Sequence, residues 1–252
     1  MSFNGNGREF IPGQDFKLSR SKLELFVQCP RCFYLDRRLG ITYPQGPAFT
    51  LNLAVDTLLK KEFDIHRAGK TTHPLMKVYK IDAVPLQHPD IGTWRENFKG
   101  ITYYHQPTKL TISGAIDDVW QDKDGQLMIV DYKATSTNEE ITLDSQYRQA
   151  YKRQMEIYQW LFRKNGFDIS DTGYFVYANG KKDREAFDGK LEFDVQIISY
   201  QGNDSWVEGA ITNARKCLES KKLPPSSPDC QFCLYRQRAG GVETKTQRLD
   251  IF

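Results

Sequence analysis

Two acidic residues and a lysine on a predicted pair of strands have the side chains needed for metal-assisted hydrolysis. Asp131 and Lys133 are two residues apart in a segment that predicts a strand, so their side chains project from one face. A glycine-containing turn before this segment predicts a hairpin, and one register of that hairpin pairs Trp120 with Met128. In this register Asp117 lies opposite Asp131, with Cβ atoms about 5 Å apart.

This arrangement of carboxylates indicates a divalent metal site. Two carboxylates at that distance repel each other unless a positive charge lies between them. A hard cation such as magnesium or manganese suits oxygen ligands, polarises a phosphoryl oxygen and lowers the pKa of a bound water. Lys133 could orient that water or offset charge on a phosphate. The spacing alone leaves open the alternative that these are solvent-facing charges of an amphipathic hairpin.

The elements around the hairpin predict an α/β fold with a mixed sheet flanked by helices. Apolar residues at helical spacing predict a helix over residues 51–66, and a second helix over 144–165 follows the hairpin. The predicted strands span residues 101–105, 110–121, 126–134, 172–178 and 191–200, and a last helix spans 205–218. We expect a single domain over residues 18–236, with a flexible leader over 1–17 and a flexible tail over 237–252.

Composition excludes few classes of protein. The 252 residues are 39% hydrophobic, enough for a folded core, and the formal net charge of +3 neither requires nor excludes a nucleic-acid partner. No apolar run approaches the ~18 residues of a membrane span. The polar, glycine-rich start of the chain does not resemble a secretory signal, so we expect a cytoplasmic protein.

Three short motifs in this region resemble those of the RecB-like PD-(D/E)XK nucleases. Gly114-Ala-Ile-Asp117 is similar to the family's Gly-x-x-Asp, Asp131-Tyr-Lys133 to its (Asp/Glu)-x-Lys, and Gln154-x-x-x-Tyr158 to its Gln-x-x-x-Tyr. Their order and spacing agree with the family, and the resemblance covers roughly residues 18–236. It implies the PD-(D/E)XK core, with the element order αβββαβ, and nuclease activity.

The resemblance also implies roles for individual residues. Asp117 and Asp131 would bind the metal with the Tyr132 carbonyl, and Lys133 would be catalytic. Family members commonly carry a further metal-binding His on the helix before the sheet. Asp56 is at the equivalent position here, which would make the site harder and more suited to magnesium. A solvated helix face is the alternative, and Glu62 is a rival ligand.

A second set of residues would contact DNA. The resemblance implies this role for Gln154 and Tyr158, which share a helix face because they are four residues apart. Tyr158 also falls on the apolar stripe of its helix, so core packing is an equal alternative. Arg148 and Arg153 on the same helix are candidates for a path along the phosphates. Ordinary solvated surface is the alternative for each of them.

Four of the five cysteines form two pairs, Cys29-x-x-Cys32 and Cys230-x-x-Cys233. In a reducing compartment such pairs more often hold a metal than form disulfides. By chemistry, four thiolates suit zinc or an iron–sulfur cluster. The segment over residues 19–34 resembles the start of the iron–sulfur nucleases, including the AddB subunit and CRISPR-associated exonucleases. The resemblance therefore implies a structural [4Fe–4S] cluster, although those proteins place one cysteine at the start and three at the end.

The last six residues, Gln247–Phe252, resemble the peptide with which bacterial proteins bind the sliding clamp. The extra Arg248 after the glutamine departs from that pattern. The alternative is that the apolar residues of this segment dock on their own domain.

The sequence therefore predicts a divalent-metal-dependent DNA nuclease, with exonuclease action on ends or single strands in repair, recombination or CRISPR-type processing. The exonuclease expectation rests on the RecB-like resemblance. The alternatives are a catalytically inactive scaffold with the same fold, and a zinc-stapled nucleic-acid-binding protein.

Overall fold

The computed structural model describes residues 9–42, 46, 49–145 and 148–249. Its helices are α1 (Arg20–Gln28), α2 (Pro30–Arg38), α3 (Thr50–Gly69), α4 (Pro74–Val78), α5 (Ile91–Trp94), α6 (Gln149–Lys164), α7 (Val207–Glu219) and α8 (Gln231–Leu249). Its strands are β1 (Phe16–Ser19), β2 (Ala83–Pro85), β3 (Ile101–His105), β4 (Leu110–Gly114), β5 (Asp118–Asp122), β6 (Leu127–Thr135), β7 (Thr172–Gly180) and β8 (Phe193–Gln201). None of the helices in these ranges has the length and apolar character needed to cross a membrane.

The larger sheet has five strands in the order β2-β5-β6-β7-β8, and a smaller one has the order β1-β4-β3. In the larger sheet β6 and β7 are parallel, whereas the other neighbours are antiparallel. This confirms the predicted mixed α/β fold. The hairpin of β5 and β6 pairs Trp120 with Met128, the predicted register, and the pairing ends at Asp118 and Val130, the neighbours of Asp117 and Asp131 in sequence.

The chain divides into two compact units. One comprises residues 1–45, 105–111 and 208–252, and the other comprises 46–104 and 112–207. The second unit contains the five-stranded sheet, α3 and α6, and the carboxylates of interest. The first contains α1, α2, α8 and the four paired cysteines.

The core of the second unit determines which side chains of strand β6 face helix α3. Helix α3 buries Val55, Leu59 and Phe63, which are four residues apart and share one helix face. This face belongs to one cluster with alternate residues of β6, namely Met128, Val130 and Tyr132. Because side chains alternate along a strand, Asp131 and Lys133 project from the opposite face.

The predicted strand over residues 110–121 is wrong in one respect, because it is two strands. Residues 115–117 leave the sheet pairing and find other partners. The Ile116 amide donates to the Trp94 carbonyl at 3.1 Å, and the Ala115 carbonyl accepts from the Tyr158 hydroxyl at 2.6 Å. The break places Asp117 just before β5.

At both ends of the chain, the described residues include ordered structure outside residues 18–236. Phe10 is fully buried and its amide donates to the Arg37 carbonyl at 2.7 Å, so packed structure begins before residue 18. At the other end, α8 continues through Leu249. The side chains of residues 245–249, and residues 250–252 altogether, lie outside the description, and with them the clamp-like peptide Gln247–Phe252.

Candidate active site and cysteine site

Asp117 lies between strand β6 and helix α3. Its Oδ2 accepts from the Tyr132 backbone amide at 2.9 Å, which ties it to β6. Its Oδ1 is 3.1 Å from the Lys60 Nζ, and the same Nζ is 2.8 Å from Oδ2 of Asp56. Asp56 and Lys60 are one helical turn apart on α3, so both project toward this point. Two carboxylates thus converge on one cation, which belongs to the chain itself.

Asp131 is the buried carboxylate of the site. It is fully buried on β6, and its Oδ1 accepts from the Gln154 Nε2 at 2.7 Å. Its Oδ2 contacts the Nζ of Lys133 on the same strand face. Lys133 Nζ also lies 4.6 Å from the centre of the Tyr151 ring, where the electron-rich face attracts a cation. Asp131 and Lys133 are therefore held from α6 as well as from their own strand.

The electrostatics of the site keep its lysines charged. Burial alone would lower the pKa of Lys133, but the neighbouring Asp131 and Asp117 raise it above its usual value. Burial would likewise lower the pKa of Lys60, and Asp117 with Asp56 raises it instead. Burial and the nearby Asp117 raise the pKa of Asp56. Both ammonium groups thus carry their charge at neutral pH.

Tyr158 and Gln154 connect α6 to the loop that carries Asp117. The Tyr158 hydroxyl donates to the Ala115 carbonyl at 2.6 Å and lies 3.2 Å from the Gln154 Nε2. The tyrosine is almost fully buried. A Cβ at Gly114 would lie 2.6 Å from the Tyr158 ring, so a glycine is needed where this ring approaches. The glycine of one motif and the tyrosine of another therefore make one packing contact.

Arg95 holds the backbone on which Asp117 sits. Its Nε donates to the Asp117 carbonyl at 2.8 Å, and its Nη1 lies 2.9 Å from both carboxylate oxygens of Asp64. Its Nη2 is 3.2 Å from Oδ1 of Asp118. Burial would raise the pKa of Asp64, but hydrogen bonds and charge from Arg67 and Arg95 lower it. One guanidinium thereby fixes the orientation of the Asp117–Asp118 peptide.

Asp118 is a buried charge with a buried partner. Its Oδ1 contacts the Nη2 of Arg67, and its Oδ2 accepts from the Tyr132 hydroxyl at 2.7 Å. Asp118 is fully buried and Arg67 nearly so. Burial, followed by the charge of Asp118, raises the pKa of Tyr132 well above its usual value. Arg67, Arg95 and Asp118, which we call the arginine layer, thus support β5, and the Tyr132 hydroxyl connects them to β6.

The four paired cysteines form a separate cluster in the first unit. The Sγ atoms of Cys29 and Cys233 are 3.8 Å apart, those of Cys32 and Cys230 are 3.5 Å apart, and those of Cys32 and Cys233 are 3.6 Å apart. All four sulfurs lie within 4.8 Å of one another. The sequence-predicted cysteine site is thus brought together, although the two pairs are about 200 residues apart.

Each cysteine pair spans the start of a helix. Cys29 precedes α2 and Cys32 lies in its first turn, whereas Cys230 precedes α8 and Cys233 lies in its first turn. Burial alone would raise the pKa of the Cys29 thiol, but backbone amides of Cys32 and Ser227 donate to it and lower the pKa to about 7. Burial instead raises the pKa of the Cys32 thiol, and that of Cys233 to about 11, so a bound ion is what would hold all four cysteines as thiolates.

Comparison with known proteins identifies the family. The family model of the PD-(D/E)XK nuclease superfamily matches residues 85–238, more than half of the chain. The chain belongs to the PD-(D/E)XK nuclease superfamily. No curated protein matches it. A solved structure described as "Crystal structure of SSO0001" is 15% identical, with 85% of this chain and 82% of that chain covered and a TM-score of 0.33. A likeness of that size carries no argument about function.

Members of the superfamily are generally nucleases that use divalent metals, and the residues here suit such an ion in chemical type. The carboxylates of Asp56, Asp117 and Asp131 are hard oxygen donors, which magnesium and manganese prefer. The Lys60 ammonium shows that Asp56 and Asp117 already converge on one cation. In the described part of the chain, the four cysteines are the only group of three or more His, Cys, Asp or Glu side chains whose ligand atoms lie close enough together to hold a metal ion.

Three further residues that the sequence analysis singled out, Glu62, Arg148 and Arg153, lie on or next to helices α3 and α6. Glu62, the rival to Asp56, accepts from the His73 ring at 2.9 Å. Arg148 donates to the Thr142 carbonyl just before α6, and Arg153 is half-buried on α6 itself. DNA contact by these two arginines stays a prediction.

Sequence reasoning missed Lys60, Arg67, Arg95 and Asp118. One signal for Lys60 was present, since Asp56, Lys60 and Asp64 are spaced at four-residue intervals and form a charged stripe on α3. Asp118 directly follows a motif residue, but nothing local marks it as buried. The two arginines lie far from the hairpin in sequence, so only the fold identifies them as its partners.

Proposed function

We propose that this chain is a divalent-metal-dependent DNA nuclease that hydrolyses phosphodiester bonds. The observation that carries the proposal is that Lys133 contacts Asp131 and lies within the electrostatic influence of Asp117 at the hairpin of β5 and β6. Lys60 and Asp56 join them from α3. A solvated amphipathic hairpin, the alternative from spacing alone, does not account for a fully buried Asp131.

The proposed roles follow from these contacts. The carboxylates of Asp56, Asp117 and Asp131, with the Tyr132 carbonyl, would hold magnesium or manganese. Such an ion, when bound, polarises a phosphoryl oxygen and makes a water molecule more acidic. Asp117 and Asp131 are both held in orientation, because the Tyr132 amide donates to one oxygen of Asp117 at 2.9 Å and the Gln154 Nε2 donates to one oxygen of Asp131 at 2.7 Å.

Lys133 supplies a positive charge that is fixed in advance. Its ammonium is held by Asp131 and by the Tyr151 ring, so little reorganisation is needed before it meets a phosphate. Preorganised charge of this kind stabilises the negative charge that develops on phosphate oxygens as the bond breaks. Gln154 contributes by holding Asp131 from the other side at 2.7 Å. In this scheme Gln154 and Tyr158 are positioning residues, because Gln154 holds Asp131 and Tyr158 holds the Ala115 carbonyl.

The narrower proposal is exonuclease action on DNA ends or single strands, in repair, recombination or CRISPR-type processing. It is supported by the resemblance of the three motifs to RecB-like enzymes. Arg148 and Arg153, near the start of α6, are the candidates for following the phosphate backbone. Clamp binding through Gln247–Phe252 also stays a proposal, which removal of these six residues would test by the loss of binding to a bacterial clamp.

A nuclease assay on the Lys133→Ala variant tests the proposal. Wild-type chain should cleave labelled single- or double-stranded DNA with magnesium or manganese, and not with a chelator. Lys133→Ala should lower the rate by about 10²–10³-fold, because one preorganised charge is lost. Lys123→Ala is the matched control, since Lys123 is exposed in the hairpin turn, and it should cleave at the wild-type rate.

Two outcomes would contradict the proposal. Equal cleavage by wild type and Lys133→Ala would show that the activity arises elsewhere or from a contaminant. DNA binding without cleavage under any divalent ion would favour the inactive scaffold. Products from circular and linear substrates, compared in the same assay, separate exonuclease from endonuclease action.

A further inference from the structure

The spacing of the four cysteine sulfurs distinguishes between the two kinds of metal centre that four thiolates can hold. The resemblance to iron–sulfur nucleases implies a [4Fe–4S] cluster at this place. A cluster and a single ion hold their four thiolates at very different separations. The sulfur–sulfur distances therefore test which of the two fits.

A single tetrahedral ion requires short sulfur–sulfur distances. With zinc–sulfur bonds of about 2.3 Å, the edges of a tetrahedron of thiolates are about 3.8 Å long. The closest pairs of cysteine sulfurs, which are 3.5 to 3.8 Å apart, agree with this length. The largest separation, within 4.8 Å, is also close to it.

A [4Fe–4S] cluster requires more room. Each of its thiolates binds a different iron at a corner of the cube, so the sulfurs lie roughly 6 Å apart. The sulfurs of Cys29, Cys32, Cys230 and Cys233 are all closer than this. The four iron and four sulfide ions of a cluster would have no space between them.

We infer that Cys29, Cys32, Cys230 and Cys233 bind one zinc ion in a closed tetrahedral site. The two-and-two arrangement of the cysteines supports this, since each Cys-x-x-Cys unit presents one edge of the tetrahedron. The two units are alike, because the Phe33 amide donates to the Cys29 carbonyl and the Leu234 amide to the Cys230 carbonyl, both at 3.0 Å. Two equivalent turns at helix starts are well suited to holding one ion between them.

The choice of zinc over a single iron follows from ligand chemistry. Zinc binds a given set of ligands more tightly than ferrous iron, and it has no redox reaction that would damage its thiolates. Cys29, Cys32 and Cys233 are buried, and the four thiolates complete the coordination of the ion. No position remains for a substrate, so the role of the ion is structural.

Metal analysis of the full-length chain, purified without an affinity tag and under anaerobic conditions, tests the inference. The expected result is one zinc per chain, no acid-labile sulfide and a colourless protein. A brown protein with about four iron and four sulfide per chain would overturn the inference. One iron per chain without sulfide would overturn the choice of zinc. None of these readouts depends on nuclease activity, so the test is independent of the proposed function.

Three cysteine variants locate the ion. Cys230→Ser should lose most of the zinc, because a hydroxyl is a poor substitute for a thiolate. Cys230→His should keep it, since zinc accepts three cysteines and one histidine. Cys217→Ser is the matched control and should keep one zinc, because the Cys217 Sγ lies against the Pro30 carbonyl at 3.8 Å, outside the cluster.

The variants also protect the test against misfolding. If Cys230→Ser does not fold, retention of zinc by Cys230→His still supports the inference. Loss of zinc from Cys217→Ser, or full zinc content in a folded Cys230→Ser, would contradict it. Cobalt added to the metal-free chain should give the intense visible bands of a tetrahedral thiolate site, and Cys230→Ser should weaken them.

Discussion

The carboxylate site and the cysteine site both gather anionic ligands, but they balance the charge in different ways. At the carboxylate site the chain supplies its own cations, since Lys60 contacts two aspartates and Lys133 contacts a third. At the cysteine site the four sulfurs contact one another. A site with its own cations can keep its shape without metal, whereas thiolates gathered together need an ion to do so. The two sites should therefore differ most in how far folding depends on metal.

Metal removal should give the largest contrast. Stripping the ion from the cysteine site should lower the free energy of unfolding by about 4 kcal/mol or more, because that ion binds the folded chain far more tightly than the unfolded one. Withholding magnesium and manganese alone should change it little. Urea unfolding of the full chain measures both effects. An equal dependence on magnesium would refute the contrast between the sites.

Loss of one of the chain's own cations should be the next largest effect. Arg67→Leu removes the nearer of two guanidinium groups from the fully buried Asp118, which keeps Arg95 at 3.2 Å, and the loss of one buried hydrogen bond to a charged group costs about 2 kcal/mol. The free energy of unfolding measured in urea should fall by that amount. Arg184→Leu is the control, since Arg184 pairs with Glu192 at the surface, and it should change stability little. If the two variants are equally stable, the arginine layer does not support the site.

The two sites also differ in how far they could be predicted from the sequence. The gathering of the four cysteines was predicted, because each Cys-x-x-Cys is a local pair and two such pairs together offer four ligand atoms. The kind of metal was not predictable, since it depends on sulfur–sulfur distances that only the fold determines. The family resemblance favoured the cluster, whereas the geometry fits a single ion.

The part of the carboxylate site that depends on one hairpin could be predicted from the sequence. Strand alternation placed Asp131 and Lys133 on one face, and the predicted Trp120 and Met128 register was confirmed. The break at residues 115–117 was missed, because it depends on Trp94 and Tyr158, which are distant in sequence. The arginine layer was missed for the same reason.

Replacing Lys60 should make the carboxylate site depend on a bound metal ion, as we expect of the cysteine site. Lys60→Gln removes the ammonium between Asp56 and Asp117, and the two carboxylates then repel each other until a divalent ion binds. Manganese affinity, measured by calorimetry, should rise by about 10-fold, and the stabilisation by manganese should increase with it. Lys61→Gln, at the exposed neighbouring position, should behave like wild type. Weaker manganese binding in Lys60→Gln would instead show that the ammonium helps to assemble the metal site.

The smallest effect concerns Tyr158, for which core packing and DNA contact were equal alternatives. Its buried hydroxyl donates to the Ala115 carbonyl at 2.6 Å, which holds the loop before Asp117. Tyr158→Phe should therefore lower the free energy of unfolding by about 1 kcal/mol, the usual loss for one buried hydrogen bond. The affinity for DNA, measured in calcium so that no cleavage occurs, should stay unchanged. Tyr235→Phe, at a largely exposed position on α8, is the stability control. A loss of DNA affinity at unchanged stability would show that the hydroxyl contacts the substrate, and the site would then extend from the carboxylates onto the face of α6.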